Sequence, residues 1–106
     1  MLKIALCDDD PNHLHHIISL FRHYLASRPN FDGQIAAFSS GTALLEQVRV
    51  QNGFDLYLLD VLMPGLNGIQ TGQKLRELDC NGEIIYLSTS KDYAADSYDV
   101  HAFFYL

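Results

Sequence analysis

"FDLYLLDVLMPGLNG", residues 54–68, decides the fold, because an apolar run ends there in a carboxylate that is followed by a turn. The run from Phe54 to Leu59 predicts a buried strand, and Pro64-Gly65 predicts a turn. Asp60 lies between them. A carboxylate at the end of a buried run is costly unless a neighbouring group stabilises its charge. The stretch therefore predicts a buried strand with a polar site at its carboxyl end.

Short apolar runs and helical patterns alternate along the rest of the chain. Besides residues 54–59, strands are predicted over Lys3–Cys7, Gln34–Phe38, Glu83–Leu87 and Ala102–Leu106. Helices are predicted from Pro11 to before Pro29, between Ser39-Ser40-Gly41 and Asn52-Gly53, over Asn67–Asp79 and over Asp92–Val100. This β-α-β-α-β-α-β-α-β order predicts an α/β fold, a doubly wound and mostly parallel sheet with helices on both faces.

Apolar residues at helical spacing predict the buried face of each helix. These positions are Leu14, Ile17, Ile18, Phe21 and Leu25 in the first helix, Leu44, Leu45 and Val48 in the second, and Ile69, Leu75 and Leu78 in the third. Gly72 inside the third helix costs about 1 kcal/mol relative to alanine. The sequence pattern therefore supports the third helix less strongly than a helix without this glycine.

Composition sets limits on the kind of protein. With 106 residues and 48% hydrophobic content, residues 1–106 are expected to form one domain with its own core. The two cysteines form no CxxC pair, and no signal sequence or membrane span is present, so a cytoplasmic location is expected. The formal charge of −6 and the absence of a basic run argue against direct nucleic-acid binding by this domain.

Polar residues follow three of the predicted strands. Asp8-Asp9-Asp10 follows the first strand, Asp60 the third, and Ser88-Thr89 the fourth. Ligand sites in such sheets lie at the carboxyl ends of the strands. If the first and third strands are neighbours, three or four carboxylates crowd one site, and they stay ionised together only if a cation joins them. Magnesium prefers such carboxylates and keeps positions open for phosphate oxygens.

These residue types also suit phosphoryl transfer. An aspartate carboxylate beside a metal ion can act as a nucleophile and form an aspartyl phosphate. Asp60 is the predicted nucleophile. The metal would neutralise charge on the phosphoryl group, and the Ser88 hydroxyl would donate a hydrogen bond to one of its oxygens. The pattern thus predicts Asp60 as a phosphoacceptor.

Four stretches together resemble the receiver domain of two-component response regulators. They are "IALCDDDPN", "FDLYLLDVLMPGLNG", "IIYLSTS" and "DYAADSYDVHAFFYL". Each alone is weak evidence, but the four occur in the order and spacing of the family, from Lys3 to Leu106. The resemblance implies a flavodoxin-like sheet with strand order 2-1-3-4-5, and a sensor histidine kinase that donates the phosphoryl group to Asp60.

The resemblance also implies roles for other residues. Asp8 and Asp9 correspond to the acidic pair, with Asp9 as the direct magnesium ligand and Asp8 acting through water. The backbone carbonyl of Leu62 is expected to complete the protein's share of the coordination. Ser88 resembles the switch hydroxyl of the family, and Tyr105 resembles the aromatic residue that swings inward behind it.

The end of the chain carries a further resemblance and a departure. "SKDYAADSYDVHAFFYL" is most similar to LytTR-type receivers, which implies a following DNA-binding domain and DNA contact only through that domain. The family's Lys-Pro after the fifth strand and its final helix are missing, so a C-terminally truncated receiver is expected. Exposure of the surface that this helix would cover favours homodimers.

Two other functions remain open at this point. Asp8-x-Asp10 resembles the nucleophile motif of haloacid-dehalogenase-like phosphatases, which also use magnesium and would turn over a small phosphate ester. A receiver-like interaction module that takes no phosphate is the other alternative. His13 and His16, three residues apart on the first helix, would suit a metal, but a solvated helix face is the favoured interpretation, since further ligands are lacking nearby.

Overall fold

Strands and helices alternate as predicted from the first strand to residue 87. A computed structural model describes residues 1–28, 30, 32–78 and 80–87, and residues 102–105 as backbone. The strands are β1 (Leu2–Cys7), β2 (Gly33–Phe38), β3 (Leu56–Asp60), β4 (Glu83–Leu87) and β5 (Ala102–Tyr105). The helices are α1 (Pro11–Ala26), α2 (Gly41–Val50) and α3 (Gly68–Glu77). The helix predicted over Asp92–Val100 lies outside the described residues.

The strands form one parallel sheet in the order β2-β1-β3-β4-β5. This is the flavodoxin-like order expected from the sequence, and the α/β class is confirmed. β1 lies between β2 and β3, and Cys7 pairs with Leu59 at the carboxyl end of the β1–β3 pair. β1 and β3 therefore lie side by side, and the chain leaves both strands at the same end of the sheet.

The sheet separates two hydrophobic clusters. α2 and α3 cover one face, where Tyr57 and Tyr86 are the largest fully buried side chains. α1 covers the other face, above Ile4, Leu6 and Leu58. Full burial of each such aliphatic side chain stabilises the fold by roughly 1.5–3 kcal/mol. β1 and β3 contribute residues to both clusters, so the two strands that lead to the acidic residues are packed on both faces.

Capping residues start the helices where the sequence predicted. The Asp10 side chain accepts a hydrogen bond from the Asn12 N–H and caps α1, with Pro11 at the first helical position. Ser40 caps α2 by accepting from the Ala43 N–H. α3 begins with a reciprocal capping box.

None of the described helices combines the length and the apolar character that a membrane span requires.

Several details differ from the predictions. No residue of α1 is buried, because its apolar stripe packs on the sheet along one side only and stays half exposed. Leu78 is 37% exposed, not a core residue, because α3 ends at Glu77 and Leu78 forms the C-cap. β3 begins at Leu56 and not at Phe54, whose N–H donates to the Tyr57 hydroxyl instead of the sheet.

Candidate metal centre

Three carboxylates meet at the carboxyl ends of β1 and β3. Asp8 and Asp9 follow β1 directly, and Asp60 is the last residue of β3. One carboxylate oxygen of each lies within 4.8 Å of those of the other two. Asp8 is 2% exposed, Asp60 is half buried, and Asp9 is exposed. The structure thus brings together the three acidic residues that the sequence predicted to share a site.

Asp8 is held in place from two directions. One carboxylate oxygen accepts a hydrogen bond of 2.9 Å from the Asp10 N–H. The other lies 3.3 Å from Nδ1 of His13, whose side chain is 67% exposed. Asp10 itself caps α1, so its carboxylate serves the helix end. The Asp8 side chain is therefore buried and held in a fixed orientation at the site.

The Asp60 carboxyl senses its acidic neighbours. Its pKa is raised from 3.8 to about 6, first by burial and then by the negative charge of Asp8, with a smaller effect from Asp9. A hydrogen bond from the backbone N–H of Leu62 acts in the opposite direction. A bound cation would remove this repulsion. Three carboxylates with one exposed member are a donor set that suits a hard divalent ion such as Mg²⁺.

Two glycines shape the loop that follows Asp60. Gly65 has a φ of 73°, a conformation that disfavours any residue with a Cβ. Gly68 begins α3, and its N–H donates to the Val61 carbonyl at 3.0 Å. A Cβ at Gly68 would collide with the backbone carbonyl of Asp60. The loop therefore passes close behind the acidic residues because position 68 carries no side chain.

Cys7 lies directly beneath the acidic site. It is fully buried, and its Sγ lies 3.8 Å from the Met63 Sδ. Burial, followed by the charges of Asp8, Asp60 and Asp9, raises its pKa to about 12. A thiol with such a pKa is neutral and unreactive at physiological pH. Cys7 is thus a packing residue under the site.

Two predicted site residues fall where the structure gives no side chain. Ser88 lies outside the described residues, directly after β4, whose last residue Leu87 pairs with Asp60. Tyr105 is described as backbone only, opposite Tyr86 in the β4–β5 pair. Their roles stay predictions. The register nevertheless places the carboxyl end of β4 next to that of β3.

The contact between His13 and Asp8 was missed by sequence reasoning. His13 follows the Asp10 cap by three residues, so its position in the first turn of α1 was a usable signal. As for the alternative of a histidine metal site, in the described part of the chain the only metal-capable group of His, Cys, Asp and Glu is the aspartate trio. His13 and His16 both lie exposed, as a solvated helix face would require.

A family model and curated relatives both match this chain. The family model of the response regulator receiver domain matches residues 4–106. Accessory gene regulator protein A of Staphylococcus aureus is 27% identical over 92 residues, which cover 86% of this chain and 39% of that protein. The homologue from Staphylococcus epidermidis is also 27% identical over the same length. The chain thus spans about two fifths of the length of these curated relatives.

Solved structures with the same fold include two response regulators. The response regulator TrrA from Thermotoga maritima, in complex with Mg(2+)-BeF, is 27% identical with a TM-score of 0.75, and the match covers 100% of this chain and 85% of that chain. A receiver domain protein from Clostridium thermocellum is 24% identical with a TM-score of 0.82, covering 100% and 81%. The sheet and helices described above are therefore shared with these proteins.

Proposed function

Because this chain belongs to the response regulator receiver domain family, we propose that it is a phosphorylation-dependent signalling switch whose phosphoacceptor is Asp60. The observation that carries this proposal is the meeting of Asp60 with Asp8 and Asp9, with carboxylate oxygens within 4.8 Å. Three carboxylates at the ends of buried strands repel one another, and this repulsion destabilises the fold. A role in function would explain why the three carboxylates are nevertheless placed together.

Asp60 suits the nucleophile better than its neighbours do. Both Asp8 oxygens already have partners, and the residue is 2% exposed, so a phosphodonor cannot reach it. Asp9 is exposed and lies on a loop, whereas Asp60 is half buried and fixed by pairing within β3 and β4. A nucleophile needs both a fixed position and access. Among the three carboxylates, Asp60 combines them.

The acidic trio would also hold the cofactor, Mg²⁺. Asp9 and Asp60 would bind it directly, Asp8 through water, and the backbone carbonyl of Leu62 would add an oxygen. Bound Mg²⁺ neutralises negative charge on phosphoryl oxygens and on the carboxylates around them. TrrA, the relative from Thermotoga maritima, was itself solved with Mg(2+)-BeF. The all-oxygen donor set of this chain is compatible with the same ion.

The phosphoryl group would come from a phosphohistidine of a sensor histidine kinase. A carboxylate oxygen of Asp60 attacks the phosphorus, the P–N bond breaks, and its electron pair returns to the imidazole, which is then protonated. The product is a mixed anhydride on Asp60. The Ser88 hydroxyl would donate a hydrogen bond to a phosphoryl oxygen, and Tyr105 would respond by moving inward. The chain in this scheme is a signalling domain that modifies only itself.

The output of the switch is proposed from the relatives. The chain spans 39% of the length of Accessory gene regulator protein A, which leaves room for an output domain in a protein of that kind. We propose a LytTR-type DNA-binding domain as that output, in a cytoplasmic transcription regulator that contacts DNA through this domain alone. Phosphorylation would then control the regulator through homodimers of the receiver.

Intact-mass spectrometry after incubation with acetyl phosphate and Mg²⁺ tests the proposal. The wild type should gain one phosphoryl group, and the Asp60→Asn variant none. Asp32→Asn, which removes an exposed carboxylate outside the trio, should behave like the wild type. Loss of the adduct in EDTA would support the metal. Continuous release of phosphate from a small phosphate ester would instead favour a phosphatase, and no adduct under any condition would favour a phosphate-independent module.

A further inference from the structure

Strand β2 is the outer strand at one edge of the sheet. Half of its backbone N–H and C=O groups point away from β1, toward the outside of the sheet. At the ends of the β1–β2 pair, the Leu2 N–H donates to the Asp32 carbonyl and the Asp8 N–H to the Phe38 carbonyl. Because the direction of these groups alternates along a strand, those of Gly33, Ile35 and Ala37 face outward. Within the described part of the chain, no strand pairs with this side of β2.

The β2 edge lacks the usual protection against pairing. Its sequence, GQIAAF, contains no charge and no proline, and its six residues pair with β1 without a register shift. Edge strands of natural proteins are normally blunted by lysine, proline or a bulge, because a regular free edge is a template for another strand. By comparison, the β4–β5 pair near the other edge does contain a register shift. The regular edge at β2 is therefore open to pairing with another strand.

A groove follows this edge between α1 and α2, and we refer to it as the β2 groove. It has a volume of about 890 Å³ and contacts five residues of β2, from Gly33 to Phe38. Arg22 and Leu25 of α1 line it on one face of the sheet, and Val50 lines it from α2 on the other. Val50 is 83% exposed, so its apolar side chain is accessible to a ligand in the groove. The groove thus offers apolar contacts on both sides of an open backbone ladder.

The charges in the β2 groove have one sign. Among the residues that the structure describes, Lys3 and Arg22 are the charged residues that line it and no carboxylate does, although the chain as a whole carries a formal charge of −6. In the described portion of the molecule, neither cation forms an ion pair. Lys3 extends from β1 toward the α2 side and Arg22 lies on the α1 side, so an added strand would meet a cation on either face.

We propose that the β2 groove binds an extended, acidic segment of a partner protein, which adds to β2 as a further strand. Gly33, Ile35 and Ala37 would supply the backbone hydrogen bonds, the two cations would select acidic residues, and Leu25 and Val50 would contact apolar ones. A second copy of this chain fits less well, because a symmetric β2–β2 pair would bring like cations together. This interaction is separate from the proposed phosphoryl chemistry, because none of the three aspartates lines the groove.

A capped peptide of repeating Glu-Glu-Val-Val is a suitable probe, because it places both acidic and apolar side chains on each face of an added strand. Its binding is followed by amide chemical shifts and by hydrogen exchange of the ¹⁵N-labelled protein. We expect slower exchange at Gly33, Ile35 and Ala37. A second peptide of the same sequence, N-methylated at every residue, serves as a control, because it keeps the side chains but has no N–H groups to donate to β2. This peptide should not bind.

Variants of the protein test the charge and the edge separately. Arg22→Glu should weaken peptide binding about tenfold, whereas Lys74→Glu, the same change on exposed α3, should not. Ala37→Pro should abolish binding, because it removes an outward N–H without removing a bond to β1. Far-UV circular dichroism and urea unfolding of these variants show whether the fold survives. Absence of peptide binding, equal binding of the N-methylated peptide, or a β2–β2 dimer that excludes the peptide would each overturn the proposal.

Discussion

Removing the charge of Asp60 should stabilise the metal-free protein at neutral pH. The pKa of Asp60 rises from 3.8 to about 6 on folding, because burial and Asp8 oppose its ionisation. A shift of about two units corresponds to roughly 3 kcal/mol. Asp60 is half exposed, so solvent screening reduces this to about 1–2 kcal/mol. Asp60→Asn removes the repulsion and should raise the free energy of unfolding by that amount.

The sign of the pH dependence follows from the direction of the shift. Since the folded state holds the proton more tightly, the contribution of Asp60 to stability is fully present below pH 3.8 and is lost as the pH rises through about 6. The advantage of Asp60→Asn should therefore be largest at a pH of about 7.5 and shrink toward about 4.5. Urea unfolding at both pH values, without metal, measures it.

A matched variant and metal complete this test. Asp32→Asn changes the formal charge from −6 to −5, as Asp60→Asn does, but it lies outside the acidic trio. Mg²⁺ should stabilise the wild type and the control more than Asp60→Asn, because one ligand is lost in that variant. If Asp60→Asn is no more stable than Asp32→Asn at neutral pH, or gains equally at both pH values, the reasoning about charge repulsion is refuted.

Three further predictions concern packing around the site. Gly72→Ala should destabilise the protein by about 1–3 kcal/mol in urea unfolding, despite the better helix propensity of alanine, because its Cβ would collide with the buried Tyr86 hydroxyl. Tyr86→Phe should restore most of that loss, and strictly additive effects would contradict the contact. Gly68→Ala should cost about 1–3 kcal/mol and reduce acetyl phosphate labelling, because it displaces the backbone of Asp60; wild-type labelling and stability would be evidence against this. Cys7, with its pKa raised to about 12, should react with iodoacetamide far more slowly in the native protein than in urea, and equally fast labelling would show that it is not buried.

Much of the fold follows from local patterns in the sequence. β4 begins and ends at the residues predicted, and α1 begins at Pro11, because Asp10-Pro11 combines a cap with a residue suited to the first turn. The meeting of Asp8, Asp9 and Asp60 was also predictable, since parallel strands align their carboxyl ends. These features depend on spacing along the chain and on strand order, both of which the sequence carries.

Features that depend on contacts across the core were not predictable. Gly72 looked like a flaw in α3, but its missing side chain makes room for Tyr86, which comes from a strand later in the chain. In the described residues the Tyr86 hydroxyl is buried without a hydrogen-bond partner, and nothing in the local sequence indicates this. The half-buried stripe of α1 is a similar case, because helical spacing gives the direction of a face but not how much of it is covered.

Chemical location of the phosphoryl group tests the central claim most directly. Reduction with sodium borohydride converts an aspartyl phosphate, but not an unmodified aspartate, to homoserine. After treatment with acetyl phosphate, Mg²⁺ and borohydride, peptide mass spectrometry should find homoserine at position 60 alone. Homoserine at position 8 or 9 in place of 60, or its absence from a protein that binds Mg²⁺ and is fully folded, would contradict the assignment of Asp60 as the phosphoacceptor.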